Sequence, residues 1–281
     1  MARELRRLLI PPQRLLAGDH LAQNPHHVCL EPHESHYLKR VLRLRPGDGF
    51  AIFDGVGRLW TAKLAISSRD AAAGAVALLD QPLEAPLVQQ PEPAVTLELA
   101  IAMPKRDGEL LLRMACELGL DRLSPLVAER SAVAELRQQR CLVILSEAAE
   151  QCERMWLPVL SPVQSAADFL EVAPTGVGLL TTTRRKGLPL VAEVLNNLSM
   201  ERLGQAGPSD HTSETASSPI KIPGVPVVTV AVGPEGGWSD REEDLAESQG
   251  WIPVTLGPTI LRSSTAAVAA ATVLSHWRAG L

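Results

Sequence analysis

Residues 227–242 read VVTVAVGPEGGWSDRE. The run Val227–Val232 is apolar without alternation and rich in β-branched residues, which suits a strand buried on both faces of a parallel sheet. Gly233-Pro234-Glu235-Gly236-Gly237 then ends any regular element. Ser239 stands three residues before Glu242, the spacing of a capping box, so a helix starts here. A strand, a glycine-rich turn and a helix N-terminus in succession let backbone N–H groups approach a ligand closely. Taken alone, the turn admits a phosphate. Glu235 within it and Asp240, Glu242 and Glu243 at the helix start oppose one, because they already occupy the positive end of the helix dipole. The stretch also lacks the G-x-x-x-x-G-K-[ST] and G-x-G-x-x-G spacings. A neutral or cationic ligand fits better.

Residues 251–266, WIPVTLGPTILRSSTA, repeat the arrangement. Trp251–Leu256 reads as the next strand, Gly257-Pro258 turns the chain, and an Ala-rich helix follows. Arg262 falls at the start of that helix, where a positive charge is unfavourable by roughly a few tenths of a kcal/mol, so something other than local helix stability accounts for it.

Upstream, VTLELAIA (95–102), SPLVA (124–128) and GVGLLTT (176–182) are further strand candidates. Helical segments alternate with them. In 109–118, Leu111, Met114, Ala115 and Leu118 recur at three- and four-residue spacings, and 136–156 carries a longer helical pattern. This alternation predicts an α/β domain with a parallel sheet over 94–281. Residues 199–225 break the rhythm, since 13 of the 27 are Gly, Pro, Ser or Thr, and they are expected to form a disordered insertion. Pro82, Pro86, Pro91 and Pro93 mark 81–93 as a linker. Residues 1–80 read as a second, smaller domain: a short helix around Glu34–Val41, then the strand runs FAIFD, RLWTAKLAI and AVALL between 50 and 79, with Gly55-Val56-Gly57 as a turn.

The chain has 281 residues, 46% apolar and 21% charged, a balance that supports two packed domains and excludes wholesale disorder. Its net charge of -5 argues against a protein that coats nucleic acid everywhere. A local patch exists in residues 1–45, where Arg3, Arg6, Arg7, Arg14, Lys39, Arg40, Arg43 and Arg45 meet only Glu4, Asp19, Glu31 and Glu34. That cluster fits an RNA contact or a solvated face. Cys29, Cys116, Cys141 and Cys152 include no C-x-x-C pair, so neither zinc nor a disulfide framework is suggested and a reducing, cytoplasmic setting is expected. Glu4 and Pro11-Pro12 interrupt the N-terminal apolar run before it reaches signal or membrane-span length. The histidines His20, His26, His27, His33 and His36 read as surface or packing residues.

The blocks 233–237 and 256–266 resemble the cofactor loops of the SPOUT methyltransferases, and the chain is similar in particular to the RsmE family, which methylates N3 of a uridine in small-subunit (16S) ribosomal RNA. The likeness extends through His36-Tyr37-Leu38-Lys39-Arg40-Val41-Leu42-Arg43 and Pro46-Gly47-Asp48, which match a PUA-like RNA-binding domain. It continues through Lys105, Glu117-Leu118-Gly119, Pro125, Glu129-Arg130-Ser131, Glu150-Gln151, Arg154 and Pro158. The resemblance implies an α/β, trefoil-knotted SPOUT methyltransferase domain preceded by a small PUA-like β-barrel, although knotted backbones are exceptions to general chain rules. It also implies S-adenosylmethionine as cofactor, a homodimer with the active site near the subunit interface, 16S ribosomal RNA within the small subunit as partner, and no need for a metal or a membrane.

On this resemblance the cofactor pocket comprises Leu180 and Thr181, the turn Gly233, Pro234, Glu235, Gly236 and Gly237, and Leu256, Gly257, Ile260 and Leu261. Arg262 is the expected catalytic cation. Glu235 is a candidate proton acceptor, and it equally fits orienting the cofactor. RNA contacts are expected from Arg6, Arg7, His36, Lys39, Arg40 and Arg43, with Lys105, Arg130 and Arg154. Glu150, Gln151 and Arg154 share a helix face by spacing, which fits a partner subunit, RNA or an internal salt bridge. One departure stands out: Ser264 occupies the place where the family usually has an acid before Thr265-Ala266. Three other readings stay open, namely an RNA-binding member without chemistry, a nucleotide-binding oxidoreductase on an open α/β sheet, and a methyltransferase acting on another RNA or position.

Overall fold

The computed structural model describes residues 5–16, 26–66, 75–132, 136–183, 185–203 and 227–281, without the side chains of 199–203. Most of the expected insertion lies outside the described residues, and its first part continues a helix to Leu203. The chain divides into two compact units, one of residues up to Glu92 with Ser146–Leu157, the other of Pro93–Leu145 with Pro158–Leu281.

The first unit contains β1 (Arg7–Leu9), α1 (Pro12–Leu16), β2 (His27–Cys29), α2 (Pro32–His36) running into a π-turn (Tyr37–Val41), β3 (Gly49–Phe53), β4 (Arg58–Ile66), β5 (Ala75–Leu79) and β6 (Val88–Gln89). Among the described residues the sheet order is β1-β3-β4-β5-β2, with β6 also on β4. Among the described residues of this unit only β1 and β3 pair in parallel. Trp60, Ala62 and Leu64 of β4 face a core with Ile10, Leu38, Phe50 and Ile52, as period-two alternation in a half-covered sheet requires. The helix expected at 34–41 starts earlier, at Pro32, behind a reciprocal capping box of Glu31 and Glu34. It closes with a wider turn, the Leu42 N–H reaching the Tyr37 carbonyl at 2.9 Å. Arg43 then adopts φ 57°.

Residues 146–157 enter this unit with the end of α4 (Gln138–Gln151). The 136–156 pattern had predicted a longer helix, but Glu153 has φ 62° and breaks it. Arg154 therefore leaves the face shared by Glu150 and Gln151, and its Nε donates to the Trp156 carbonyl. Glu150 accepts the Leu9 N–H at 2.9 Å, and Arg7 pairs with Glu153 at 2.7 Å.

The second unit contains β7 (Thr96–Ala102), α3 (Gly108–Glu117), β8 (Arg122–Val127), the first part of α4, β9 (Val159–Leu160), β10 (Gln164–Ser165), α5 (Ala166–Leu170), β11 (Val177–Thr181), α6 (Val191–Leu203), β12 (Val227–Val232), α7 (Asp240–Ser248), β13 (Ile252–Val254) and α8 (Ser263–Ala279). The sheet order among the described residues is β10-β8-β7-β12-β11-β13, with β9 also on β8, and every pairing is parallel. Leu97, Leu99 and Ile101 are buried on one face of β7, Ala100 and Ala102 on the other with Leu180, Ala231, Trp238 and Trp251. At ~1.5–3 kcal/mol for each large apolar side chain removed from water, this two-sided burial fixes the strands. β12 sits between β7 and β11, and the chain then passes β11 to form β13. The last helix, α8, nevertheless packs on α3, α6, β7 and β12. Its buried face of Ala267, Ala270, Ala271 and Leu274 is small enough for close approach. Among the described residues, no helix is long and apolar enough to cross a membrane.

Candidate active site

β11, β12 and β13 end level: Thr181 is in register with Val232 and with Val254. The chain segments that follow, 182–190, 233–239 and 255–262, therefore leave one edge of one sheet at the same height, the edge at which open α/β sheets bind ligands. Hydrogen bonds tie them together. The Thr182 N–H reaches the Val254 carbonyl at 3.0 Å, the Thr181 hydroxyl donates to Ala231 at 3.0 Å, and the Ser263 hydroxyl donates to Gly233 at 2.9 Å. The buried Trp238 donates its indole N–H to the Thr181 carbonyl at 3.0 Å.

These segments line two adjoining cavities of about 580 and 460 Å³ that share Thr181, Thr182, Ile260 and Leu261. The larger runs between 181–190 and 255–261, the smaller between 181–185 and the 232–243 turn. Gly237 and Gly257 have φ 71° and 140° and line the cavities, and a Cβ on either would meet nothing within 4 Å. A side chain there would project into open space, so glycine keeps a cradle clear while permitting a backbone conformation that other residues avoid. Gly187 repeats this on the third segment. Leu256, Ile260 and Leu261 give the larger cavity an apolar wall, with Ile260 69% exposed.

The charges are less available than the sequence suggested. Glu242 is buried and spent within the protein, accepting the Ser239 N–H at 2.8 Å and the Glu129 N–H at 2.9 Å. Glu243 accepts the Thr182 hydroxyl, and with Glu247 it holds Arg185. Glu235 and Asp240 remain exposed on the smaller cavity. Arg262 is the N-cap of α8; it is exposed, and its side chain makes no capping bond and no ion pair among the described residues. It stands between Leu261 and Ser263, both of which line the smaller cavity. The first turn of α8 carries no acid, Ser264 included.

Of the expected pocket, Thr181, the whole 233–237 turn and Leu256, Gly257, Ile260 and Leu261 line the cavities. Leu180 lies behind the cavity wall, fully buried in the core. Sequence reading missed Thr182, Thr183, Arg185, Lys186 and Trp238, all cavity-lining; the run Thr181-Thr182-Thr183 at a strand end was the available signal. Of the expected RNA contacts, Arg6, His36, Lys39, Arg40 and Arg43 are exposed in the first unit and Lys105 is exposed in the second. Arg7, Arg154 and Arg130 bond within the protein, Arg130 from Nη1 to the Trp238 carbonyl at 2.8 Å while it stays exposed and lines the smaller cavity.

A parallel sheet whose final strands open onto a glycine-lined cradle is the α/β architecture of an RNA methyltransferase domain. Residues 90–275 match a family profile described as an RNA methyltransferase domain, and residues 30–74 match one described as an RNA methyltransferase PUA domain. Ribosomal RNA small subunit methyltransferase E of Synechocystis is 34% identical over 92% of this chain and 74% of its own length. The protein of the same name from Rickettsia conorii is 27% identical over 92% of both chains. The crystal structure of ribosomal RNA small subunit methyltransferase E from Neisseria gonorrhoeae bound to S-adenosyl methionine is 26% identical, with a TM-score of 0.69 over 97% of this chain and 98% of that one. The chain belongs to the ribosomal RNA small subunit methyltransferase E family.

Proposed function

We propose that the protein methylates N3 of a uridine in 16S ribosomal RNA, with S-adenosylmethionine as methyl donor. The observation that carries this reading is the level ending of β11, β12 and β13, whose trailing segments enclose adjoining cavities kept open by Gly237 and Gly257. The residues present fit the cofactor. Leu256, Ile260 and Leu261 suit the apolar faces of a purine. Glu235 and Asp240 on the smaller cavity complement a cation, beside Arg130 and Arg185 that also line it, and the turn lacks the G-x-G-x-x-G spacing that the oxidoreductase reading requires. When bound, the cofactor supplies an electrophilic methyl group on a positively charged sulfur.

The chain's own part is electrostatic and geometric. Uridine N3 bears a proton between two carbonyl groups, and its loss leaves negative charge on O2 and O4. Arg262 steadies that charge with a preorganised guanidinium. Glu235 takes the N3 proton or aligns the cofactor, and Glu235→Gln separates the two roles by lowering either turnover or cofactor affinity. Alignment of the base by the cavity walls contributes up to ~7 kcal/mol. The base must be splayed out or unpaired, because a paired base hides N3. Arg6, His36, Lys39, Arg40 and Arg43 hold flanking phosphates, with Lys105 on the second unit.

Under this reading residues 1–80 form a PUA-like barrel, to whose sheet the 81–93 linker adds β6, and 94–281 a SPOUT domain that lends 146–157 to the first unit. The insertion of β12 between β7 and β11, followed by the return of α8 onto α3 and β7, supports a trefoil knot. The protein acts in the cytoplasm as a homodimer on the small subunit and needs no metal. Mass spectrometry of nucleosides from 16S ribosomal RNA of a gene-deleted strain tests the substrate: N3-methyluridine is expected to disappear, and an undiminished level refutes the assignment. The acid-free first turn of α8 favours one second reading, an RNA-binding member without chemistry. Cofactor binding without transfer of radiolabelled methyl to deproteinised small-subunit RNA would establish it.

A further inference from the structure

Arg130 follows β8, and the segment around it touches the 233–239 turn directly at two points and, through Glu242 of α7, at a third. Its Nη1 donates to the Trp238 carbonyl at 2.8 Å. The N–H of its neighbour Glu129 donates to Glu242 at 2.9 Å, and the other oxygen of that 2% exposed carboxylate holds the Ser239 N–H. A Cβ on Gly236 would lie 2.9 Å from the Arg130 Cβ, closer than such atoms approach, so the bare backbone of the turn rests against Arg130. The opposite side of the turn is held by the Trp238 indole, which is bonded to the Thr181 carbonyl and lies 3.1 Å from where a Gly233 Cβ would be. Trp238 thus has its ring fixed to one strand end and its carbonyl fixed by one guanidinium.

We propose that Arg130 is a positioning residue for the cofactor turn, acting through Trp238, and not a ligand of RNA phosphate. This rests on the proposed function, since it takes the 233–239 turn as the methyl donor's site. A bond from a charged donor to a carbonyl outweighs a neutral one and loses its effect when the donor is removed. A phosphate ligand, in contrast, is felt only when RNA is present, and through salt dependence.

The full-length protein is titrated calorimetrically with S-adenosylmethionine in the absence of RNA, as wild type, Arg130→Ala, Arg130→Lys and Glu242→Gln. Arg130→Ala is expected to weaken cofactor binding about tenfold. KM for the cofactor rises with it and kcat changes little. RNA affinity and its salt slope stay at the wild-type values. Arg130→Lys regains most of the loss, because an ammonium also donates to a carbonyl, and Glu242→Gln weakens cofactor binding in the same direction. Unchanged cofactor affinity in Arg130→Ala with a shallower salt slope overturns the inference and makes Arg130 a phosphate ligand. A collapsed melting temperature in Arg130→Ala, with Glu242→Gln binding cofactor normally, overturns it as well. Wild type that binds no S-adenosylmethionine refutes the proposed function and this inference together, an outcome the variants cannot mimic.

Discussion

Arg262 and Arg130 carry the same group into opposite settings. Both side chains are exposed, but the Arg130 guanidinium is tied to a carbonyl within the fold, whereas that of Arg262 stands at a helix N-cap without a counter-ion among the described residues. A charge left unpaired where a helix dipole disfavours it is available to a substrate that develops negative charge. Arg262→Ala is accordingly expected to keep cofactor affinity within about twofold and to lower turnover about a hundredfold, the scale seen when one transition-state donor is removed. Calorimetry beside single-turnover methyl transfer checks this, and parallel loss of both would make Arg262 a structural residue. Glu150 poses the opposite case. Burial pushes its carboxyl up to about 7, the Leu9 N–H pulls against that shift, and Glu147 and Glu34 add to it. Between about pH 4.5 and 7 the folded protein thus keeps a proton that the unfolded chain has lost, so stability falls as pH rises through that window and levels off above it. Glu150→Gln, which can still accept the Leu9 N–H, is expected to flatten this fall and to be the more stable protein at pH 8 by on the order of 1–3 kcal/mol. Urea unfolding of both proteins from pH 4 to 8 measures it, and parallel curves would show that Glu150 ionises like an exposed carboxylate.

At the scale of elements, what could be read from sequence was what neighbours in sequence decide. Ser239 and Glu242 announce the start of α7, and the capping box forms as spaced, with the Glu242 N–H on the Ser239 hydroxyl at 3.2 Å. Ser239→Ala is expected to cost about 1 kcal/mol of stability, seen as a shifted denaturation midpoint at unchanged slope. No shift would mean that the helix start is held by the Glu129–Glu242 contact alone. Apolar runs located β7, β8, β11 and β12 to within a residue or two, and the glycine turns located two of the three cavity segments. The third, which follows β11, escaped because nothing local sets Arg185 and Lys186 apart until β11 is known to lie beside β13. The end of α4 escaped for a different reason: Glu153 turns the chain through a left-handed residue that no glycine advertises. Trp238 carried no signal of its own in the sequence, because its hold on Thr181 spans 57 positions, beyond any local pattern. Strand order escaped altogether, since placing β12 between β7 and β11 is a choice among long-range pairings that hydrophobic periodicity leaves equal. The same element logic makes Gly257 testable. Its φ of 140° strains any side chain, and a Cβ would enter the larger cavity. Gly257→Ala should weaken S-adenosylmethionine binding at least tenfold and cost about 1–3 kcal/mol of stability through the strained backbone, whereas intact affinity in the folded variant would move the cofactor out of that cavity.

At the scale of the molecule, an excess of five negative charges and an RNA substrate are compatible only if the contact is confined. The described part of residues 1–45 shows how. Lys39, Arg40 and Arg43 are displayed on a turn whose geometry alternates buried Leu38 with exposed cations, while Arg14 is withdrawn by Glu31 and Glu34 and Arg7 by Glu153. The patch therefore offers fewer free charges than composition suggests, and each should weigh more in binding. Each phosphate neutralised contributes about 0.7 to 0.9 to the slope of log affinity against log salt, so the double variant Arg40→Gln, Arg43→Gln is expected to flatten that slope by about 1.4 to 1.8 while leaving cofactor affinity alone. Arg113→Gln, which removes one exposed charge from α3, serves as the control and should leave the slope as it was. Filter binding of small-subunit RNA fragments from 50 to 300 mM salt decides the matter. A double variant with the wild-type slope places the RNA on another surface, and an equal effect of Arg113→Gln reduces the contact to unspecific attraction between a polyanion and any cation within a Debye length.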